Sequence, residues 1–471
     1  MPNDAAVKFE DGDRALVIGV GRSGMATAAV LRDRGLRVAA YDDKQPQELA
    51  VQRAALERIQ VDLVGKDGLS AAAADASVAI LSPGVPLNNP AVLAVQRAGV
   101  PVISEIEAAY RIAKAPIIAI TGSKGKSTTT ALIGHLLGCA GVRARVGGNI
   151  GSPLILEAAA ASADEWLVAE VSSFQLEAIS TFRPRISVLL NISPDHLDRY
   201  HSMEEYREAK FRIFANQGEG DFFIGNADDP AIVDAVFGAT RRVPCLHAWY
   251  SVTGVDNVNL ALVNGAIVRQ SPGIADTPIV RVDQLHIKGS HNVGNAMAAY
   301  LAASLAALAS EADVEKVAAG LQTFRPLPHR LQTVARSNGI TWVDDSKASN
   351  PDAVLKALET FTEPIILIAG GRSKRTDFRA LAAAASEHAK LVILIGESAR
   401  EIGALIEHGP IVFAESIEQA VAAAAEAAVS GDVVLLSPGC ASFDMFESAE
   451  QRGEVFAAAV RRQTGISVGA R

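Results

Sequence analysis

Cysteine is scarce in this chain. Cys139, Cys245 and Cys440 are the only three among 471 residues, far apart and odd in number. That argues against a disulfide framework and for a reducing compartment. Basic charge is also short: 44 Lys and Arg face 53 Asp and Glu, a formal net charge of -9. Bulk electrostatics therefore do not favour nucleic acid, and an anionic ligand must be held by local basic groups and backbone amides. No apolar run approaches the length needed to span a bilayer. The opening Met-Pro-Asn-Asp-Ala-Ala-Val-Lys lacks the basic-then-apolar layout of a signal peptide. These absences lead us to expect a cytoplasmic protein with neither membrane nor nucleic acid as partner; a monomer is expected as well.

What is present is globular: 49% hydrophobic and 21% charged residues, in a length that suits two to four domains. The Ala-rich runs Ala71 to Ala74, Ala382 to Ala385 and Ala422 to Ala425 are flanked by charges and read as helices. Residues 1–104 alternate strands with helices. Arg14 to Gly19 reads as a strand. Leu36 to Tyr41 is another, ending in Asp42-Asp43-Lys44, and Val78 to Leu81 ends in Ser82-Pro83-Gly84. The alternation predicts a Rossmann-like doubly wound parallel sheet. Gly19-Val20-Gly21-Arg22-Ser23-Gly24 opens its first helix. Taken alone, that glycine pattern says NAD. The glycines only let a diphosphate approach a helix N-terminus, however, and any nucleotide diphosphate can use that.

Residues 105–326 form a central α/β unit of P-loop ATPase type. Its most informative stretch is the apolar run Pro116 to Ile120 followed by Thr121-Gly122-Ser123-Lys124-Gly125-Lys126-Ser127-Thr128 and a helical pattern through Leu132, Leu136 and Cys139. Strand, glycine turn and helix N-terminus make a phosphate cradle, in which loop N–H groups and the helix dipole face the anion. Lys126 can reach the outer phosphates and the Ser127 hydroxyl can ligate Mg²⁺. The common pattern carries a further glycine where this chain has Ile120, and the bland alternative is an ordinary strand-to-helix turn. Trp166 to Glu170 ends in a carboxylate, the usual place for a metal-binding acid beside such a loop. Asn191-Ile-Ser-Pro-Asp195-His196-Leu-Asp198-Arg199-Tyr200 clusters acids, a His and an Arg behind a buried strand. On the helix predicted over Met203 to Phe214, Tyr206, Lys210 and Phe214 share one face. Spacing alone predicts that Lys210 snorkels its ammonium to water. Asn292 and Asn295 project from one side of a helix's first turn, to read an adenine ring or to cap the helix.

Phe324-Arg-Pro326-Leu-Pro328-His329-Arg330 reads as a linker. Residues 327–471 then alternate again into a second Rossmann-like sheet. Its strands end in polar loops at Asp345-Ser346-Lys347-Ala-Ser349, Gly370-Gly371-Arg-Ser-Lys374, Gly396-Glu397 and Ser437-Pro438-Gly439. Lys347 and Lys374 sit on such loops, where ligands bind.

Several motifs then line up in order: Thr121-Gly-Ser-Lys-Gly-Lys-Ser-Thr, Gly147-Gly-Asn149-Ile-Gly, Glu170-Val-Ser-Ser-Phe-Gln-Leu-Glu, Asn191-Ile-Ser-Pro-Asp-His-Leu-Asp-Arg-Tyr, Leu327-Pro-His-Arg330, Asp345-Ser-Lys-Ala-Ser-Asn and Ser437-Pro-Gly-Cys-Ala-Ser-Phe-Asp. Together they resemble the Mur ligases of peptidoglycan synthesis, over nearly the whole chain. The resemblance implies an ATP-dependent enzyme that joins D-glutamate to UDP-N-acetylmuramoyl-L-alanine through an acyl phosphate, and so decides the glycine pattern against NAD. It implies that the first unit binds UDP, the second ATP, and the third the incoming amino acid. By similarity, Arg22, Ser23, Asp43, Lys44 and Gly84 face the uridine diphosphate, with Asn149 and His196 near the rest of the sugar nucleotide. Lys126 and the loop Gly122, Ser123, Lys124, Gly125, Ser127 and Thr128 hold the phosphates; Asn292, Asn295, Arg330 and Asp345 complete the ATP contacts. Ser127 and Glu170 correspond to ligands of one Mg²⁺, His196 and Lys210 to those of a second. The family carbamylates this lysine, which turns an ammonium into a carboxylate-like ligand. Lys126, Glu170, His196 and Lys210 are thus the implied catalytic set. Lys347, Ser349, Lys374 and Ser442 match positions that receive D-glutamate.

Overall fold

The structure is a computed structural model. It describes residues 9, 10, 12–195, 199–238, 243–271, 273–287, 289–325, 328–373 and 377–465. Its first sheet contains β1 (Arg14–Ile18), β2 (Arg37–Tyr41), β3 (Asp62–Val64), β4 (Val78–Leu81) and β5 (Val102–Ser104), ordered β3-β2-β1-β4-β5 and parallel throughout. Side chains alternate across a strand. Ala15 and Val17 accordingly enter one buried cluster, while Leu16 and Ile18 enter another on the opposite face. The strand order reverses beside β1, where a doubly wound sheet opens its ligand crevice. The helix Arg22–Asp33 starts there. It lies so close to the strand end that a Cβ on Gly24 would stand 1.8 Å from the Gly19 carbonyl oxygen.

The second sheet has nine strands: β6 (Ile117–Thr121), β7 (Ala144–Gly148), β8 (Trp166–Glu170), β9 (Ile186–Leu189), β10 (Phe222–Asn226), β11 (Leu246–Ser251), β12 (Leu260–Val263), β13 (Ala266–Ser271) and β14 (Ile274–Arg281). The order is β14-β13-β12-β11-β10-β9-β6-β8-β7. It is parallel from β7 to β12, and only β12-β13-β14 are antiparallel. Most of β14 faces solvent, so this meander has little apolar alternation to show in the sequence.

The third sheet joins β15 (Gln332–Ser337), β16 (Ile340–Asp344), β17 (Ile365–Gly370), β18 (Ala389–Ile395), β19 (Ile411–Phe413) and β20 (Val433–Leu436) in the order β15-β16-β20-β17-β18-β19. All its pairs are parallel except β15-β16. It too is buried on both faces.

The first two sheets lie in one compact unit, 1–286 with 290–324; the third lies in another, 287–289 with 325–471. In the first unit the helix Glu105–Ile112 bridges two sheets, and its Ile106 and Ile112 join a core shared by both. It also carries two buried acids. Glu107 accepts from the N–H groups of Ser180, Thr181 and Phe182. Burial opposes its ionisation, but the Thr181, Ser180 and Arg111 hydrogen bonds outweigh it and lower its pKa. Glu105 accepts from Ile155 N–H at 2.9 Å. It has too few partners to offset burial, which pushes its carboxyl up to about 7.

The helix Ser290–Ala309 amends one expectation. Its 20 residues are long and apolar enough to cross a membrane by length and composition, yet 72% of its apolar window is buried inside the protein. It packs against the helix Lys126–Cys139.

Two stability measurements follow from this packing. Gly24→Ala should destabilise the protein by about 1–3 kcal/mol in denaturant unfolding, the range for forced overpacking. The raised pKa of Glu105 means that the folded state holds its proton more tightly than the unfolded chain, so stability declines as pH rises from about 4.5 to about 7. Glu105→Gln should flatten that decline and gain on the wild type above pH ~7.

Candidate active site

β6 lies between β8 and β9, so the C-terminal ends of three parallel strands open at one place. The turn after β6 is pinned to the chain after β9. Ser123 N–H donates to the Asn191 carbonyl at 2.9 Å. Lys124 N–H donates to Asn191 Oδ1 at 2.8 Å, and Asn191 Nδ2 returns a bond to the Lys124 carbonyl at 3.0 Å. Ser123 Oγ donates to Ser193 O at 2.9 Å and accepts from Ser193 N–H at the same distance. Tyr206 OH lies 2.9 Å from that hydroxyl. Since the Ser123 proton goes to Ser193, Tyr206 is the donor. The N–H groups of Ser123 and Lys124 are thus spent on anchoring. The helix Lys126–Cys139 begins immediately after this turn, and a helix N-terminus is where backbone N–H groups can meet an anion.

Gly125 caps this helix at φ +85°, and a Cβ there would meet Asn295 Oδ1 at 2.3 Å. Both the backbone angle and the close approach require glycine. Asn295 is itself held by its Nδ2 bond to Asn292 Oδ1 at 3.0 Å. The two asparagines therefore stand together beside the cradle.

Lys126 Nζ donates to the Gly122 and Ser123 carbonyls at 2.8 and 2.9 Å. Lys210 Nζ donates to the same Gly122 carbonyl at 2.8 Å, with the Tyr206 ring centroid 4.8 Å away. Lys210 is 1% exposed, so the expected snorkelling is overturned. The apolar face of its helix, Met203–Phe211, turns toward the cradle instead of solvent. Burial first, and Lys126 second, hold the Lys210 amine well below the ordinary lysine pKa, against the pull of Asp195 and Glu170.

Glu170 ends β8 at 2% exposure. Its Oε1 accepts from Asn149 Nδ2 at 2.8 Å, while its buried Oε2 has no hydrogen-bond partner among the described residues. An unsatisfied buried carboxylate oxygen calls for an explanation, and a cation is one. No three His, Cys, Asp or Glu cluster closely enough among the described residues to hold a metal by themselves. His196 lies outside the described residues.

In the first sheet, Val20 N–H and Lys44 N–H donate to the two oxygens of Asp42 at 2.9 and 3.1 Å. Asp43 accepts from Tyr41 OH at 2.8 Å and Asn89 Nδ2 at 2.6 Å. Burial and Asp43 push the Tyr41 phenol up to about 12. Arg22 and Ser23 begin the helix beside these groups, and Gly84 is exposed beyond β4.

In the second unit the ends of β16, β17 and β20 converge. Asp345 accepts from Ser437 Oγ at 2.9 Å and from Leu331 N–H at 3.2 Å. Burial raises its carboxyl to about 7, against the Ser437 and Leu331 bonds. Gly439 N–H donates to Ala348 O at 2.8 Å, and Arg372 and Ala441 exchange backbone bonds at 2.9 and 3.0 Å. These bonds bring the Lys347–Ser349 loop, the loop after Gly371 and buried Ser442 to one end of the sheet. Lys347 Nζ pairs with Glu450. Lys374 lies outside the described residues.

Comparison with known proteins gives this geometry a lineage. Residues 13–104 match the Mur ligase MurD-like N-terminal domain, 120–303 the Mur ligase middle domain, and 329–440 the Mur ligase glutamate ligase domain. The chain belongs to the Mur ligase family. A UDP-N-acetylmuramoylalanine–D-glutamate ligase of Pelotomaculum thermopropionicum is 43% identical over 94% of this chain and 96% of its own. The protein of that name from Koribacter versatilis is 39% identical over 96% and 98%. Among solved structures, a MurF ligase from Thermotoga maritima in complex with ADP superposes with TM-score 0.58 at 17% identity, covering 98% of each chain. A UDP-N-acetylmuramate-alanine ligase from the same organism gives 0.58 at 19% identity, over 96% of this chain and all of that one.

Two residues important to this Mur ligase's geometry have no role assigned from the sequence. Asn191 opens a motif there but is given no task. The shared face of Tyr206 and Lys210 is legible in the sequence, and only its direction is not. Arg452 gives no local signal, yet it is 1% exposed and its guanidinium bonds Ser346 Oγ at 2.9 Å, Ser346 O at 2.8 Å and Cys440 O at 3.2 Å. Arg199 and Tyr200 turn out to be ties: both bond Glu177, at 2.8 and 2.6 Å. Asn191→Ala removes the two side-chain bonds to Lys124 and should weaken ATP binding about 10–100-fold, at roughly 0.5–1.5 kcal/mol per bond. Titration calorimetry with nucleotide checks it.

Proposed function

We infer that this chain is an ATP-dependent ligase that adds D-glutamate to UDP-N-acetylmuramoyl-L-alanine, a step in making the peptidoglycan stem peptide for the cell wall. The observation that carries this reading is the match, along nearly the whole chain, to ligases bearing that name. In this reading residues 1–104 hold the uridine diphosphate, 105–326 hold ATP, and 327–471 bring the amino acid.

Joining a carboxylate to an amine requires activation, which ATP supplies as an acyl phosphate. The anionic terminal carboxylate of the sugar nucleotide must approach an anionic γ-phosphate. Lys126, with the N–H groups of Lys126-Ser127-Thr128, offsets that repulsion. The amine of glutamate then attacks the acyl carbon and phosphate leaves. Water must be kept out, because acyl phosphates hydrolyse readily. Arg330 and Asp345 reach the nucleotide, and Lys347, Ser349, Lys374 and Ser442 receive glutamate.

The side chains present fit Mg²⁺, which favours hard oxygen donors. Ser127 Oγ and Glu170 Oε2, which has no partner among the described residues, would hold one ion, and His196 with a carbamylated Lys210 a second. Bound there, Mg²⁺ supplies Lewis-acid neutralisation of phosphate charge. Burial favours the carbamylation that the resemblance implies: an amine held well below the ordinary lysine pKa gives up its proton more readily, and the neutral amine adds CO₂ and loses a proton to become a carbamate. The product is an oxygen ligand, which an ammonium cannot be. A reducing cytoplasm suits the three unpaired cysteines.

Phosphate release with UDP-N-acetylmuramoyl-L-alanine should depend on D-glutamate and fall at least ~100-fold with L-glutamate or other amino acids, an arm that separates this activity from that of sister ligases sharing the fold. Lys126→Ala should lower turnover by at least ~10³-fold, a loss of the size expected for a group that stabilises phosphoryl-transfer charge. Lys210→Ala should be nearly as inactive and partly restored by added acetate. An unrescued variant at the wild-type rate would remove Lys210 from the site.

A further inference from the structure

Arg330 is carried by a strained turn. His329 and Leu331, the residues on either side of it, both have positive φ, +62° and +44°. Neither is glycine, and such conformations persist only where the surroundings over-determine them. Here they do. His329 N–H donates to Gln332 Oε1 at 2.9 Å, and the His329 carbonyl accepts from Lys347 N–H at 3.0 Å. Leu331 N–H donates to Asp345 Oδ1 at 3.2 Å. The His329 ring is fixed by Nδ1, 2.7 Å from Oδ2 of Asp344, which is fully buried. The other oxygen of Asp344 accepts from Ser346 N–H at 2.9 Å. The ring is backed by the final helix, Ala449–Thr464, where Gly453 leaves it room: a Cβ at 453 would lie 2.1 Å from Nδ1 and 2.6 Å from Asp344 Oδ2.

Three of these four tethers end on Asp344, Asp345 and Lys347. The turn is therefore clamped to the strand end that carries Asp345, so Arg330 and Asp345 are set as one piece. The hydrogen bond and charge of Asp344, with Glu454 and Glu450 behind it, favour the protonated imidazole against its burial.

We propose that His329 and Asp344 are positioning residues: touching no substrate, they hold the strained turn so that Arg330 meets the nucleotide together with Asp345. A surface loop bearing an arginine would need neither the buried acid nor the missing Cβ at 453. This proposal rests on the reading of Arg330 as an ATP contact.

The test is a double-mutant cycle on the full chain. It measures the dissociation constant of a non-hydrolysable ATP analogue, with KM values in the ligation assay. His329→Gly keeps the backbone able to adopt positive φ while removing the ring. It should weaken analogue binding and raise KM for ATP at least tenfold, with KM for D-glutamate and for the sugar nucleotide within twofold of wild type. In an Arg330→Ala background the same change should add less than twofold, because its effect runs through Arg330. Asp344→Asn should behave like His329→Gly. His329→Asn keeps both tolerance of positive φ and an N–H donor, so it should recover part of the loss; it also replaces His329→Gly in the cycle if that variant does not fold. Analogue binding within twofold of wild type in His329→Gly, or an undiminished effect once Arg330 is gone, would overturn the proposal. Wild-type protein that binds the analogue but does not ligate D-glutamate would instead overturn the assigned reaction, and the binding cycle would still decide the positioning role.

Discussion

Two lysine side chains donate to one carbonyl oxygen, that of Gly122, and the candidate active site is built around that convergence. Two cationic amines so close in a low-dielectric pocket repel strongly. The conflict is relieved in part by the acids nearby, Glu170 and Asp195, and in part by holding the Lys210 amine well below its ordinary pKa. The result is two basic side chains gathered at one loop carbonyl, with two acids beside them. The geometry holds because the turn beneath the lysines cannot move: Asn191, Ser193 and Tyr206 fasten it to the chain beyond β9.

The same physical solution is used in each sheet. Parallel strands buried on both faces bring their C-terminal ends to one edge, and polar residues collect there because backbone and side-chain groups at strand ends need partners. In the first sheet Asp42 clamps the glycine turn to the end of β2. In the second, Glu170 and Asn191 flank the cradle. In the third, Asp345 and Ser437 lock β16 to β20. The acids with the largest upward shifts, Glu105 and Asp345, are both buried with fewer donors than Glu107 enjoys. Burial wins where hydrogen bonds are few.

Most of the architecture was legible in the sequence because buried parallel strands are short, apolar and bounded by turns. Strands such as β6 and β8 stand where those runs predicted them, β16 and β17 end at the polar loops read from the sequence, and the glycine turns mark the helix starts. Of the antiparallel meander from β12 to β14 only a strand-like piece at Ala266–Arg269, within β13, was legible, since an exposed edge needs no apolar pattern. The uncharged helix Ser290–Ala309 is a case where composition pointed one way and packing another: its apolarity serves a protein interior. At the site, the residue types were readable from the motifs. Which of their atoms are occupied was not. Ser123 and Lys124 look like phosphate donors in the sequence, yet their N–H groups hold the loop in place.

The sequence by itself determined the class of chemistry: a phosphate cradle at a strand-helix junction, an acid at the next strand end, and a chain-long resemblance to ATP-dependent amide ligases. These are local properties, because propensity, glycine placement and motif spacing act over a few residues. Only the tertiary structure decided that Lys210 is buried beneath the cradle, that Glu170 keeps one oxygen without a partner among the described residues, and that a strained turn carries Arg330. Each depends on which face of an element meets which neighbour. Desolvation, and with it the charge state of a side chain, is set by atoms that are tens or hundreds of residues away along the chain.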